Sequence, residues 1–200
     1  MKNRIITISR QIGSGGKSAG KELASLLSVP FYDRAIVDLA AKESGMDAEF
    51  IESGEQMITS SMLFNVATMG YGGYFTDAGN TLTDKIYMAE SKVIRAIAEK
   101  GPCVIVGRCA DYILREYDCF NVFMYAQNPV RVERIMEERG VTQKEAEKII
   151  KISDKRRSRH YEHYTGRSWG KATNYHLCID GGETGYKLAA EVIMKAAGLK

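Results

Sequence analysis

The sequence predicts an α/β fold with a parallel, doubly wound sheet, and three observations carry that reading. Short apolar or β-branched runs at residues 5–9, 29–33, 103–106, 120–125 and 174–180 read as five strands. Segments with apolar residues at helical spacing alternate with them, which makes the connections crossovers and the strands parallel. The run Cys103-Val104-Ile105-Val106 is apolar throughout, as a strand covered on both faces requires. The 200 residues are 44% hydrophobic and suit one domain spanning 1–200, without internal repeat, low-complexity tract or linker.

The first strand runs into Gln11-Ile12-Gly13-Ser14-Gly15-Gly16-Lys17-Ser18. A helix follows at once, with Ala19, Leu23, Leu26 and Leu27 on one face. Glycines let backbone N–H groups converge on an anion, and a helix N-terminus adds unpaired donors with partial positive charge. Lys17 then reaches terminal phosphates, and the Ser18 hydroxyl takes a Mg²⁺ position. Gly16-Lys17-Ser18 completes the second half of the G-x-x-x-x-G-K-[ST] pattern, whereas Gln11 stands where its first glycine belongs. Gly13 and Gly15 supply backbone freedom at shifted positions. The stretch reads as the phosphate-binding loop of an ATP-dependent phosphotransferase.

The second strand ends in Asp33, and Arg34 opens a helical segment with Ile36, Val37, Leu39 and Ala40. Ligands bind at strand ends of open α/β sheets, so Asp33 and Arg34 are acceptor-site candidates; a helix cap at Asp33 explains that residue equally well. Residues 46–80 mix large apolar groups with Gly70, Gly72 and Gly73 among Tyr71, Tyr74 and Phe75. Three readings stay open for them: a substrate-binding lobe, a dimer surface or a satellite core. Residues 83–100 are helical again, and Gly101-Pro102 stops them. The third strand ends in Gly107-Arg108, which points to phosphate binding by Arg108.

Residues 110–117 read as a short helix. After the fourth strand, Asn128-Pro129 supplies an N-cap and a first-turn proline, and Arg131 and Arg134 share one face of the helix that follows. Thr142-Gln143-Lys144-Glu145 is a capping box. Its helix enters the basic run Lys155, Arg156, Arg157, Arg159 and a glycine-rich turn through Gly166 to Gly170. Residues 154–170 read as a lid that brings arginines over a phosphate chain; a solvated helix face is the plainer alternative. Residues 188–196 make the closing helix.

Composition excludes several classes. A net charge of +3 is too small for a general nucleic-acid binder. No apolar run approaches the ~20 residues of a membrane span, and Met1-Lys2-Asn3-Arg4 opens directly into a strand instead of a signal peptide. Cys103, Cys109, Cys119 and Cys178 show no CxxC spacing, so reduced thiols in a cytoplasmic protein are expected, and zinc is not.

Residues 5–21, Phe31-Tyr32-Asp33-Arg34, Val104 to Arg108, Tyr161-x-x-Tyr164-Thr165-Gly166-x-x-Trp169-Gly170 and Asn174 to Asp180 together resemble the cytidylate kinase-like family. The resemblance implies a P-loop, nucleoside-monophosphate-kinase fold. That fold is a three-layer sandwich around a five-stranded parallel core, with an acceptor-binding lobe at about 34–82 and a lid at about 154–170. Cytidylate kinases transfer a phosphoryl group from ATP to CMP or dCMP with Mg²⁺. Two departures stand out: Gln11 and Ser14 replace loop glycines, and Cys109 follows Arg108 where those kinases carry an aspartate.

On this reading Gly13, Ser14, Gly15, Gly16, Lys17 and Ser18 hold the donor phosphates, and Mg²⁺ sits on Ser18. Lys17, Arg134, Arg157 and Arg159 stabilise the transferring group. Asp33, Arg34, Arg108 and Arg131 serve the acceptor, and the roles of Arg131 and Arg134 are interchangeable. A kinase for another small hydroxylated metabolite, or a nucleotide-binding sensor without turnover, fits the same fold. Retention of Lys17, Ser18 and a basic lid argues against the sensor.

Overall fold

The computed structural model describes residues 4–45 and 82–199. β1 (Ile5–Arg10), α1 (Gly16–Leu27), β2 (Phe31–Tyr32) and α2 (Ala35–Ser44) come first. After them come α3 (Leu82–Glu99), β3 (Val104–Val106), α4 (Ala110–Ile113), β4 (Cys119–Tyr125), α5 (Asn128–Arg139) and α6 (Gln143–Thr165). A 3-10 turn (Ala172–Asn174), β5 (Leu177–Asp180) and α7 (Gly185–Ala196) close the chain. The strands pair in the order β2-β3-β1-β4-β5, every pair parallel. β1 is thus the middle strand, and the loop after it opens at the centre of the sheet's C-terminal edge.

Alternation along the strands fills both faces. Ile6, Ile8, Val104, Val106, Val122 and Met124 pack with Leu23 of α1 and Ile193 of α7. Ile5 and Ile105 point the other way, onto Ile36 of α2, Ile94 of α3 and Ile113 of α4. Ile6 and Ile8 are fully buried, and burying each contributes about 1.5–3 kcal/mol. The polar Thr7 is buried too, and its hydroxyl donates to Asn121 Oδ1, its register partner on β4, at 2.8 Å. A third, smaller cluster joins Val132 and Ile135 of α5 to Ala146 and Ile150 of α6. The expected capping box at Thr142 and Glu145 is present.

Several boundaries differ from the sequence reading. The second strand shrinks from 29–33 to two residues, because the Val29 amide is taken by Ala24 O at the end of α1. Asp33 is not a helix cap: Arg34 occupies the N-cap position without a side-chain bond, and the Asp33 carboxylate is held by cations. The helix expected over 110–117 stops at Ile113 and continues as turns into β4. Gln127, not Asn128, occupies the N-cap position of α5, without a side-chain bond, and Pro129 lies in the first turn as expected. Ladder bonding to β4 starts only at His176, whose amide donates to Asn121 O, so the fifth strand loses its first three residues. Residues 46–80 lie outside the described residues, as does most of the lobe expected at 34–82. No described helix is long and apolar enough to cross a membrane.

Candidate active site

The loop after β1 turns on left-handed glycines, Gly13 at φ 74° and Gly15 at φ 85°. Gly15 is the N-cap of α1 and offers no side chain, so the first amides of the helix have no cap partner. An anion is the natural partner for such a terminus. Gln11 explains its own presence: its amide donates to Met124 O, and its Oε1 accepts from the Ala126 amide at 3.3 Å. It staples the loop to the end of β4, a bond that a glycine there would forgo. Ser14 is buried and its hydroxyl donates to Gln11 O, so this residue can offer a ligand only its main chain.

Beneath the loop, Arg134 donates to Gly13 O at 3.1 Å and Gly181 O at 2.9 Å. Arg131 is buried, donates to Ile12 O at 2.8 Å and is ion-paired with Asp154, which also accepts from the Ile12 amide. Both arginines are therefore engaged in holding the loop's shape. Ser18 is exposed at the start of α1, and the Lys17 side chain, 58% exposed, reaches Asp33 at 3.1 Å. The other oxygen of Asp33 accepts from Arg10 at 3.1 Å. One carboxylate thus bridges the loop lysine and the last residue of β1.

Arg10 divides the loop from a second feature, a cavity of about 130 Å³. Ser9, Arg10, Gly107, Arg108, Cys109, Arg156, Arg157, His160, Tyr161 and Trp169 form its wall, and four of these ten are arginines. Gly107 at φ 83° has no Cβ, and a Cβ there would collide with the Arg10 guanidinium. Arg157 donates to Arg10 O at 2.9 Å. Burial lowers the Arg10 pKa against the opposing pull of Asp33, and burial beside Arg10 brings Arg157 down to about 9. Arg157 stays cationic at neutral pH. Burial, with Arg108, His163 and Arg156 nearby, pushes His160 down to about 4, so its imidazole is neutral there.

The far wall is fastened to the sheet. Trp169 donates from Nε1 to Ser9 Oγ at 3.0 Å and meets Phe123 edge-on. Tyr161 donates to the buried Asp111 at 2.7 Å. One turn on, Tyr164 stacks on Tyr87 with 3.9 Å between ring centroids. Residues 154–170 therefore lie closed on the domain, bonded to it at Asp154, Arg157, Tyr161, Tyr164 and Trp169.

Of the residues singled out in the sequence, the structure brings Gly13 to Ser18, Asp33, Arg108 and Arg157 to one sheet edge. Arg131 and Arg134 sit under the loop. Arg34 is exposed at the start of α2, and Arg159 is not part of the cavity wall. Sequence reasoning gave no site role to Arg10 or His160, and it named Arg156 only within the basic run of the lid and Trp169 only within the family motif. A signal existed for two of these: residues 156 and 160 lie one helical turn apart, in phase with the apolar Tyr161 and Tyr164.

A model of the cytidylate kinase-like family matches residues 5–183. Among solved structures, an uncharacterized protein from Eubacterium ventriosum ATCC 27560 is 26% identical over 98% of this chain and 99% of its own, with a TM-score of 0.73. A shikimate kinase from Bacteroides thetaiotaomicron is 15% identical over 98% and 99% of the two chains, TM-score 0.54. A shikimate kinase from Aquifex aeolicus vf5 is 16% identical over 96% and 95%, TM-score 0.50. No curated protein matches the sequence. The fold is that of the P-loop kinases.

Proposed function

We propose that this chain, which belongs to the cytidylate kinase-like family, is an ATP-dependent nucleoside monophosphate kinase, with CMP or dCMP as acceptor by family likeness. The supporting observation is adjacency: the arginine-lined cavity shares Arg10 as a common wall with the glycine loop. One anionic group in each places a donor and an acceptor side by side, and alignment is most of what phosphoryl transfer asks of a protein.

In this reading the amides from Gly13 to Ser18 and the Lys17 ammonium hold the β- and γ-phosphates of ATP. Mg²⁺ needs few protein ligands where phosphates and waters supply the rest. The exposed Ser18 hydroxyl suits such a site. When bound, the ion neutralises charge on the phosphates. Triphosphate competes with Asp33 for Lys17, and Arg10 keeps the released carboxylate at the junction of the two sites. Arg108 and Arg156 receive the acceptor's phosphate, while Arg157 faces the charge that spreads in the transition state. Residues 154–170 are the closing element that keeps water out, and Arg131 and Arg134 keep the loop in register.

Asp33 favours one second reading, a kinase for a small hydroxylated metabolite. A phosphate acceptor needs no general base, whereas a hydroxyl needs one, and Asp33 stands beside Lys17 where such a base would work. A panel of nucleoside monophosphates and small polyols, scored by ADP release with ATP and Mg²⁺, tests the proposal; failure of every monophosphate sinks it. Asp33→Asn then separates the readings on the accepted substrate. A loss of about tenfold or less fits a phosphate acceptor, and a loss on the order of 10³ fits a hydroxyl that relied on the base.

A further inference from the structure

α3 carries a carboxylate where its apolar stripe calls for a hydrocarbon. Glu90 is fully buried beside Ile86, Val93 and Ile94, which share its face of the helix. A carboxyl group loses its hydration there, which is costly unless a partner compensates. Packing gives no reason for it; a leucine would fill the stripe. Its Oε1 accepts from Arg108 Nη1 at 2.8 Å, and its Oε2 is buried with no hydrogen-bond partner among the described residues.

The other end of that bond is equally constrained. Gly107, Arg108 and Cys109 follow one another in the left-handed region at φ 83°, 60° and 53°. For the two residues that carry a Cβ, this conformation is strained, and such outliers gather where a site needs them. The Arg10 guanidinium lying over Gly107 fixes the backbone of the turn from one side. Glu90 fixes the Arg108 side chain from the other. Burial pushes the Glu90 carboxyl up to about 8. Oε1 can accept from the guanidinium in either protonation state, so the bond to Arg108 survives protonation of the carboxyl.

We propose that Glu90 is a positioning residue of the acceptor site: it sets the Arg108 guanidinium in the cavity wall and thereby governs how tightly an anionic group is held there. The inference rests on the reading of the cavity as the acceptor site. It touches no ligand itself and acts through Arg108.

The test uses the full chain with ADP and Mg²⁺ filling the loop and inorganic phosphate as the probe of the cavity. Trp169, the one tryptophan of the sequence, lines that cavity and gives the fluorescence readout. Arg108→Ala should weaken phosphate binding about tenfold; if it does not, the cavity is not the acceptor site and both readings fall. Glu90→Leu should weaken it by about fivefold, while Glu90→Gln, which keeps an acceptor oxygen, should retain most of the affinity. Should Glu90→Leu fail to give a cooperative melt, Glu90→Met is the more adaptable replacement. In an Arg108→Ala background, Glu90→Leu should change affinity by less than about twofold, since its route of action is gone. Undiminished phosphate affinity in Glu90→Leu and Glu90→Met, or a loss that persists without Arg108, overturns the positioning role and leaves the cavity reading standing. In turnover, the KM for the acceptor should rise while the KM for ATP stays put.

Discussion

The glycine loop and the arginine cavity stand on either side of Arg10, yet they are made in opposite ways. The loop is one contiguous stretch, and what it offers an anion is mostly main chain: amides of a helix start and a turn over left-handed glycines. The cavity is mostly side chain, drawn from β1, the turn after β3, α6 and the segment beyond it. Backbone donors need only a local conformation to point correctly. Guanidinium groups need rigid elements and fixed neighbours, which is why nearly every arginine in the region has a partner that orients it. The same element supports both halves, since Asp154 of α6 holds the loop through Ile12 while Arg156, Arg157 and His160 face the cavity.

The sharpest way to break this contrast is Lys17→Ala. The side chain is mostly exposed and its ion pair with Asp33 contributes little to folding. Turnover should fall on the order of 10³-fold or more, while the melting temperature moves by no more than about 2 °C. A large loss of stability with activity kept would make Lys17 a structural residue and the loop an ordinary turn.

Next in size is the comparison of two arginines on one helix. Arg157 faces the cavity and Arg159 does not. Arg157→Ala should lower kcat about 10²-fold with little change in the KM for ATP, and Arg159→Ala should cost less than about threefold. Equal losses would mean that charge density on α6, and not its orientation, serves the reaction.

The smallest effect expected is on stability. His160 has a folded pKa near 4, below its ordinary value of 6.5. Between those values the unfolded chain binds the additional proton, so stability rises with pH across that window and is lost as pH falls through it. The melting temperature should drop by about 5 °C more between pH 6.5 and 4.5 in the native chain than in His160→Gln. Parallel melting curves would show that the imidazole is not held neutral by burial and its cationic neighbours.

These same contrasts explain what the sequence made legible. The loop could be read because strand, glycines, Lys17, Ser18 and helix follow one another without interruption, and the five parallel strands could be read from short apolar or β-branched runs alternating with segments of helical spacing. Arg10 could not: a cation at a strand's last residue looks like any surface arginine until β2 brings Asp33 beside it. Which arginines of α6 line the cavity is a matter of helical phase: Arg156 does and Arg159 does not. The side of α6 that meets the sheet is set by Asp154 and Tyr161, whose partners lie far away in the chain. Glu90 did leave a mark, an acid inside the stripe of Ile86, Val93, Ile94 and Ile97, but its partner is known only once β3 is placed.

α6 has one more consequence, and it concerns length. Its Asp154, Arg157, Tyr161 and Tyr164 reach Ile12, Arg10, Asp111 and Asp84, about one bond per turn along a single unbroken helix. Any of these side chains can be exchanged at the expense of its own bond. Adding or removing one residue between Asp154 and Tyr161 is a different kind of change, because it turns everything downstream by about 100° around the axis. Tyr161, Tyr164 and the strap ending in Trp169 would all miss their partners together. Over those eight positions the chain can vary its letters far more freely than their number.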